Sequence, residues 1–214
     1  MPRDLERLHT PATPSGDAII LSHGAGADAD TPLLIGLAEE FAQAGMLALR
    51  YELPFRQVRR TGPPSPATAE ADRAGLREIV AAVRSRASGR VFLGGHSYGG
   101  RQSSMVAAEV PALVDALLLL SYPLHPPRRP RELRTAHFPA LRTPALFVHG
   151  SRDPFGSLEE VRAAIALIPA ASELLAIEGA PHGLIGRRRG GGSDLLTKIA
   201  RSFAAFVDQA GRRR

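Results

Sequence analysis

The sequence predicts an α/β fold in which helices flank a mostly parallel central sheet of about six strands. Short apolar runs alternate with amphipathic stretches along the chain, which is typical of a parallel sheet wrapped by helices. One run, Ala116–Leu120, is apolar on both faces and therefore indicates a central strand. The length of 214 residues, with 44% hydrophobic residues, suits one domain over residues 1–214.

The order of elements follows from these runs. Strands are predicted at residues 18–21, 46–51, 90–93, 116–120, 144–148 and 173–177. Helices are predicted from residue 32, over 68–86, from the turn at 95–99 to about 110, over 157–167, and after Ser193 as N-cap. Residues 55–66 and 122–143 are predicted to be irregular. The second segment is rich in proline and too short to form a lid domain.

Composition excludes several classes of protein. The chain has no cysteine, which excludes disulfides, thiolate metal sites and cysteine nucleophiles. The charge of +6 could indicate a nucleic-acid partner, but the arginine clusters are scattered and aromatic residues are only 5%. No apolar run approaches the length of a membrane span, and residues 1–10 do not resemble a signal peptide. We therefore expect a cytoplasmic protein with no nucleic-acid or membrane partner.

A strong chemical signal is the segment Gly95-His96-Ser97-Tyr98-Gly99, which follows an apolar strand and precedes a helix. This context is typical of a nucleophile elbow, a tight turn that raises a serine hydroxyl above the sheet. Flanking glycines are needed because side chains there would strike the neighbouring strand and helix. The motif predicts the α/β-hydrolase fold, with Ser97 as nucleophile.

A serine hydroxyl needs a general base, and in this fold the chain order is serine, acid, histidine. His182 lies in the loop between the sixth predicted strand and the last helix, which is the position expected of the base. Asp153 follows the fifth predicted strand and is expected to orient the imidazole. Glu178, at the end of the sixth strand, is the rival acid. His149 more plausibly packs at the end of its strand.

Small residues at 22–28, after the first predicted strand, would let backbone N–H groups approach an oxyanion. We assign the two donors to Ala25 and to Tyr98, the residue after the nucleophile. The substrate pocket is predicted to be shallow and open, with His23, Gly24, Tyr98 and His125 as candidate lining residues. The histidines show no zinc-site spacing, so no metal and no cofactor are expected.

Several segments together resemble the α/β-hydrolase group that includes testis-expressed protein 30 and the hydrolase-like third subunit of the NSL histone-acetyltransferase complex. They are HGAGAD, GGHSYGG, SYPLHPP, LRTAHFPALRTPALFVHGSRDPFG and the closing histidine loop, spanning residues 18–183. Bacterial members are usually described as dienelactone-hydrolase-like. The resemblance implies the same Ser97, Asp153 and His182 set. The chain departs from the group at His96 and Tyr98, where members tend to have Lys and Met. It also departs around His182, where members tend to have Asp-His-Ser-Phe.

The expected function is hydrolysis of a small-molecule ester, or a thioester, through a serine acyl-enzyme. Two alternatives stay open. The fold could serve as an interaction module with weak or no activity, since eukaryotic members of the resembled group act within a chromatin complex. The same residues could also transfer an acyl group to an acceptor other than water.

Overall fold

The computed structural model describes residues 7–185 and 192–212, and its centre is a seven-stranded sheet. The strands are β1 (Leu8–His9), β2 (Ala18–Ser22), β3 (Leu47–Tyr51), β4 (Val91–His96), β5 (Ala116–Leu120), β6 (Ala145–Gly150) and β7 (Ser172–Ile177). Their order across the sheet is β1-β3-β2-β4-β5-β6-β7. All neighbours pair in parallel except β1, which runs antiparallel to β3.

Helices cover both faces of this sheet. They are α1 (Pro32–Gln43), α2 (Pro54–Val58), α3 (Pro66–Arg84), α4 (Tyr98–Glu109), α5 (Leu158–Ile165) and α6 (Gly192–Arg212), with a 3₁₀ turn at Phe138–Ala140. One apolar core lies between the sheet and helices α1 and α6. The other lies between the opposite face of the sheet and helices α2, α3, α4 and α5. Successive residues of β5 enter the two cores alternately, which explains why that strand is apolar throughout. No helix in the described ranges has the length and apolar character needed to cross a bilayer.

The structure confirms the predicted fold and corrects some details. The edge strand β1 was missed, because two residues held by antiparallel pairing carry no apolar pattern. The segment predicted to be irregular from residue 55 begins with α2, where Pro54 supplies a first helical residue and Phe55 packs into the core. Ser193 is not an N-cap, since α6 already includes Gly192.

The sheet topology brings three loops to one edge. Because β4, β6 and β7 are parallel, the residues that follow their carboxyl ends lie on the same side of the molecule. Ser97 follows β4, Asp153 follows β6 and His182 follows β7. This arrangement, rather than closeness in sequence, makes contact among them possible.

Candidate active site

Ser97 lies at the sharp turn between β4 and α4. Its backbone angles are φ 52° and ψ −113°, outside the regions that residues other than glycine ordinarily adopt. Such a conformation costs about 1–2 kcal/mol and persists only where surrounding contacts impose it. Here the Ser97 N–H donates to the Leu120 carbonyl at 2.8 Å, and the Ser97 carbonyl accepts from the Arg101 N–H at 3.0 Å. The turn therefore has the geometry of a nucleophile elbow.

The glycines around Ser97 are required by close packing. A Cβ on Gly95 would lie 2.4 Å from the Ser22 hydroxyl oxygen, and one on Gly99 would lie 2.5 Å from the same atom. Real Cβ atoms do not approach other atoms so closely. The Ser22 hydroxyl in turn donates to the Gly94 carbonyl at 3.0 Å, so it cannot easily move away. The elbow therefore packs directly against β2.

The structure brings Ser97, His182 and Asp153 into one hydrogen-bonded chain. Nε2 of His182 lies 2.9 Å from the Ser97 hydroxyl oxygen, and Nδ1 lies 2.7 Å from Asp153 Oδ2. An ionised carboxylate only accepts hydrogen bonds, so Nδ1–H donates to Asp153 and Nε2 is left to accept from Ser97. The Asp153 side chain is fully buried, whereas the His182 side chain is 23% exposed.

Asp153 is held in place by its own loop. Its second oxygen, Oδ1, accepts from the Phe155 N–H at 2.9 Å, and its N–H donates to the Gly150 carbonyl at 3.1 Å. Glu178, the rival acid, is exposed and accepts from the Ser151 hydroxyl at 2.9 Å. Of the two carboxylates, Asp153 therefore has the geometry to orient the His182 ring.

Two further aromatic rings enclose His182. The Phe155 ring lies with its centroid 4.3 Å from the imidazole at 33°, and the His96 ring lies on another side at 5.1 Å. Nε2 of His96 donates to the His182 carbonyl oxygen at 2.8 Å. Although His96 retains some solvent contact, desolvation of its ring lowers its pKa to about 4, so it is neutral at pH 7. The strand that carries the serine thus holds the histidine loop.

The loop after β2 lies beside the nucleophile. A Cβ on Gly24 would lie 3.2 Å from His96 Nδ1 and 3.6 Å from Ser97 Cβ, so this loop packs closely against the elbow. Ala25 lines the same cleft as Ser97 and Tyr98. The Tyr98 N–H is at the first turn of α4, where backbone donors have no acceptor within the helix. These positions suit the two oxyanion donors assigned from the sequence.

Sequence reasoning missed the residue that holds this loop, Arg56. Its buried guanidinium donates to the carbonyls of Ala25 (2.8 Å), Ala27 (2.9 Å) and Arg60 (2.8 Å). It thereby joins the oxyanion loop to the segment after α2. The local sequence gives no signal for this role, because Arg56 lies in a segment that is predicted to be irregular.

The cleft next to Ser97 has a volume of about 570 Å³. Proline and alanine residues of the segment 63–69, helix α4, and Pro123, Arg134 and Phe155 form its walls. Tyr98 lines it, as expected, but its hydroxyl donates to Asp72 Oδ2 at 2.6 Å. Burial and this contact raise the Tyr98 pKa. Within the described ranges, no group of three or more acidic or histidine side chains is arranged to hold a metal.

The buried partner of Tyr98, Asp72, also escaped sequence reasoning. Its Oδ1 accepts from the Phe55 N–H at 2.9 Å, so one carboxylate fixes both the tyrosine and the start of α2. Asp72 lies four residues before Leu76, on the inward face of α3. An acidic residue in an apolar stripe was therefore the signal that could have revealed it.

Three of the predicted pocket residues, His23, Gly24 and His125, are not among those that line the cleft, and the two histidines lie elsewhere. The His23 ring is fully buried: Nδ1 donates to the Gly24 carbonyl at 2.9 Å, and Nε2 lies 3.1 Å from the Leu53 nitrogen. His125 is buried, and its Nδ1 donates to the Pro126 carbonyl at 2.9 Å. Neither lines the cleft, which corrects the expectation from sequence. His149 is buried at the end of β6 and contacts the Gly156 carbonyl at 2.8 Å.

Comparison with known proteins assigns the family. The sequence profile of the family described as "Alpha/beta hydrolase domain" matches residues 15–208. The chain belongs to this α/β-hydrolase family. Because the match includes the strands and loops that carry Ser97, Asp153 and His182, the candidate site lies within the shared part of this α/β hydrolase.

Solved structures share the fold of this α/β hydrolase at low sequence identity. Est1E from Butyrivibrio proteoclasticus, with ferulic acid bound, matches with a TM-score of 0.74 and 15% identity, covering 94% of each chain. A dienelactone hydrolase from Anabaena variabilis matches at 0.72 and 20%, covering 93% of this chain and 90% of that one. A serine hydrolase without a lid from Xanthomonas campestris matches at 0.67 and 15%, covering 92% and 87%. At these identities the similarity concerns the fold.

Proposed function

We propose that this chain is a serine hydrolase that cleaves an ester, or a thioester, through an acyl-enzyme on Ser97. The observation that carries the proposal is the continuous hydrogen-bonded chain from Asp153 through His182 to Ser97. The strained backbone of Ser97 and the neighbouring Ala25 loop add support. We therefore assign the roles of nucleophile, base and orienting acid to Ser97, His182 and Asp153, which are in contact, and the role of oxyanion donors to the backbone N–H groups beside Ser97.

In the first half-reaction, the Ser97 oxygen attacks the carbonyl carbon while its proton passes to Nε2 of His182. Asp153 stabilises the imidazolium that forms. The N–H groups of Ala25 and Tyr98 donate to the tetrahedral oxyanion, and the N-terminus of α4 favours the same negative charge. When the intermediate collapses, the bond to the leaving oxygen or sulfur breaks and His182 Nε2–H protonates that atom.

In the second half-reaction, water replaces the leaving group beside His182. The oxygen of this water attacks the acyl carbon while His182 Nε2 takes one of its protons. The second tetrahedral intermediate then breaks its bond to the Ser97 oxygen, which recovers its proton from His182. A carboxylic acid leaves and the free enzyme is restored. The partial exposure of His182 gives water access to this step.

The test uses an active-site probe and a short-chain substrate. A fluorophosphonate should label the wild-type protein at Ser97, as located by mass spectrometry, and should not label Ser97→Ala. Short-chain p-nitrophenyl esters should be hydrolysed by the wild type and only at background rate by Ser97→Ala. Wild-type activity retained in Ser97→Ala, or no labelling of Ser97, would refute the proposal.

The two alternatives predict other results. An interaction module, the role suggested by the narrower resemblance to the testis-expressed and NSL group, would show neither labelling nor turnover. An acyl transferase would give an acylated alcohol or amine in preference to free acid when such an acceptor is added. Product analysis with and without the added acceptor separates transfer from hydrolysis.

A further inference from the structure

The cleft beside Ser97 contains two guanidinium groups, those of Arg101 and Arg134, that form no ion pair within residues 7–185 and 192–212. A third arginine of the cleft, Arg73, differs because it forms ion pairs with Glu70 and with Glu109 at 2.9 Å. Among the described residues, Arg134 donates to the Pro123 backbone carbonyl, at 3.2 Å. The Nε atom of Arg101 is buried and has no hydrogen-bond acceptor among the residues that the structure describes.

The two positive charges affect each other and their surroundings. Burial, and then the neighbouring charge of Arg101, lower the pKa of the Arg134 guanidinium. Burial, and then the same charge, lower the pKa of His137 to about 4, so that this histidine is neutral at pH 7. The Glu132 carboxylate opposes the effect of Arg101 on Arg134, but it forms its own ion pair with Arg129 at 3.1 Å. Two neighbouring guanidinium charges without an ion pair of their own make this side of the cleft positive, which favours an anion.

A neighbouring amide adds an unused donor. Gln102 is fully buried and lines the same cleft, and its Oε1 accepts from Arg73 Nη1 at 3.3 Å. Its Nε2 has no acceptor among the described residues. A buried donor without a partner destabilises the folded protein, so a bound group that accepts from it would remove this cost.

The position of Arg101 relates this donor set to the reaction. Its N–H donates to the Ser97 carbonyl, which places it one helical turn after the nucleophile on α4. One turn advances about 5.4 Å along the helix axis. An anion held by Arg101 and Arg134 could therefore belong to the same small molecule as the carbonyl at Ser97, joined to it by a short chain.

We propose that Arg101 and Arg134 bind an anionic group, a carboxylate or a phosphate, carried by the ester that Ser97 cleaves. This inference rests on the proposed hydrolase function and specifies its substrate class: a small ester with a negative charge a few bonds from the scissile carbonyl. A guanidinium pair suits either anion, because each presents several N–H donors in a planar fork.

The first experiment compares two esters that differ only in the anion. Monomethyl adipate carries a carboxylate where methyl hexanoate carries a methyl group. We expect wild-type kcat/KM to favour monomethyl adipate by at least about tenfold, the effect of one charge-assisted contact. Arg101→Met and Arg134→Met should each reduce this preference by about fivefold or more. Arg131→Met is the control, because it removes an exposed charge from the segment 122–143 that also carries Arg134. This variant should show a preference within about twofold of the wild-type preference.

A second measurement needs no catalysis. Monomethyl adipate should bind the Ser97→Ala variant in calorimetry more tightly than methyl hexanoate does. Adding Arg101→Met to this variant should abolish the difference, whereas adding Arg131→Met should preserve it. Competition by inorganic phosphate would assign the site to both anions, and a lack of competition would assign it to carboxylates.

The outcomes separate this inference from the hydrolase function. Turnover of both esters without preference, and without anion binding that depends on Arg101, would overturn the anion site and leave the hydrolase function standing. No labelling of Ser97 and no turnover of either ester would overturn the hydrolase function, while calorimetry would still decide whether the arginine pair binds anions.

Discussion

The His96 ring donates a hydrogen bond from Nε2 to the backbone carbonyl of His182 at 2.8 Å, so the elbow carrying the nucleophile also fixes the loop carrying its base. This contact requires a proton on Nε2 and is made by a neutral ring, since burial lowers the His96 pKa to about 4. The alignment of Ser97 with His182 therefore does not depend on the long path through the sheet between β4 and β7.

The acid assignment is tested by two near-isosteric substitutions. Asp153→Asn should lower kcat by about 10⁴-fold, because an amide at this position favours the wrong imidazole tautomer. Glu178→Gln, the matched change at the rival acid, should cost less than about tenfold, since Glu178 contacts Ser151 rather than His182. Steady-state kinetics on a p-nitrophenyl ester measures both. An inactive Glu178→Gln beside an active Asp153→Asn would move the acid to the end of β7.

The Arg56 guanidinium should hold the oxyanion loop in the position that catalysis needs. Arg56→Met removes the donors that hold the Ala25 and Ala27 carbonyls, so we expect kcat to fall by about tenfold or more with a smaller change in KM. The free energy of unfolding should fall by about 3 kcal/mol, because charge-assisted hydrogen bonds to buried carbonyls are lost. Arg60→Met removes an exposed charge nearby and serves as the comparison. Equal kinetics in the two variants would show that Arg56 does not hold the oxyanion loop in its active position.

The close packing of the elbow predicts different effects for two glycines. Gly95→Ala would force a Cβ to within 2.4 Å of the Ser22 hydroxyl oxygen and should lower the free energy of unfolding by about 3 kcal/mol. Gly26→Ala, in the loop after β2, meets no atom within 4 Å and should change it by less than about 0.5 kcal/mol. Urea denaturation of both variants provides the measurement. Similar stabilities would show that the elbow can relax.

Two partly buried histidines should make stability depend on pH. Burial lowers the pKa values of His96 and His137 to about 4, below the value of 6.5 expected in the unfolded chain. Between these values the unfolded chain binds more protons, so stability is highest above pH 6.5 and is lost as pH falls toward 4. At pH 5 each histidine should account for a loss of up to about 2 kcal/mol.

The His137→Gln variant isolates one of these contributions. The difference in unfolding free energy between pH 7 and pH 5, measured by urea denaturation at each pH, should be smaller by up to about 2 kcal/mol in this variant. His137 contacts the Ser104 hydroxyl rather than Ser97 or His182, so its loss does not touch the reacting groups. An unchanged pH difference would show that His137 titrates alike in the folded and unfolded chains.

The parts predicted from sequence are those that local pattern controls. An apolar run followed by a glycine-flanked serine predicts a strand, a turn and a helix, and parallel topology then places Asp153 and His182 at the same edge. Those three residues meet in the structure as the sequence predicted. Their catalytic roles stay a prediction until the experiments above are done.

The parts that were missed depend on contacts between distant segments. Arg56 acts on a loop some 30 residues away, and no periodicity marks a guanidinium that binds backbone carbonyls. His23 was expected in the pocket because it follows a strand at the active edge, but its ring turns inward to the Leu53 nitrogen. The direction of a side chain in a loop is decided by tertiary packing, which sequence spacing does not encode.

Ser22 packs against both elbow glycines, Gly95 and Gly99, and this contact limits which residues homologues can have at these positions. Its hydroxyl oxygen occupies the space that a Cβ at Gly95 or Gly99 would need, while its hydrogen bond satisfies the Gly94 carbonyl. A larger residue at position 22 would displace the turn, and a smaller one would remove one of the two hydroxyl groups, those of Ser22 and Ser103, that donate to that carbonyl. A smaller residue at position 22 would still not make room, because a Cβ on Gly95 would lie 2.7 Å from the Ser22 backbone oxygen and one on Gly99 would lie 2.6 Å from the His23 backbone oxygen. Both elbow positions should therefore remain glycine among homologues, whatever residue occupies position 22.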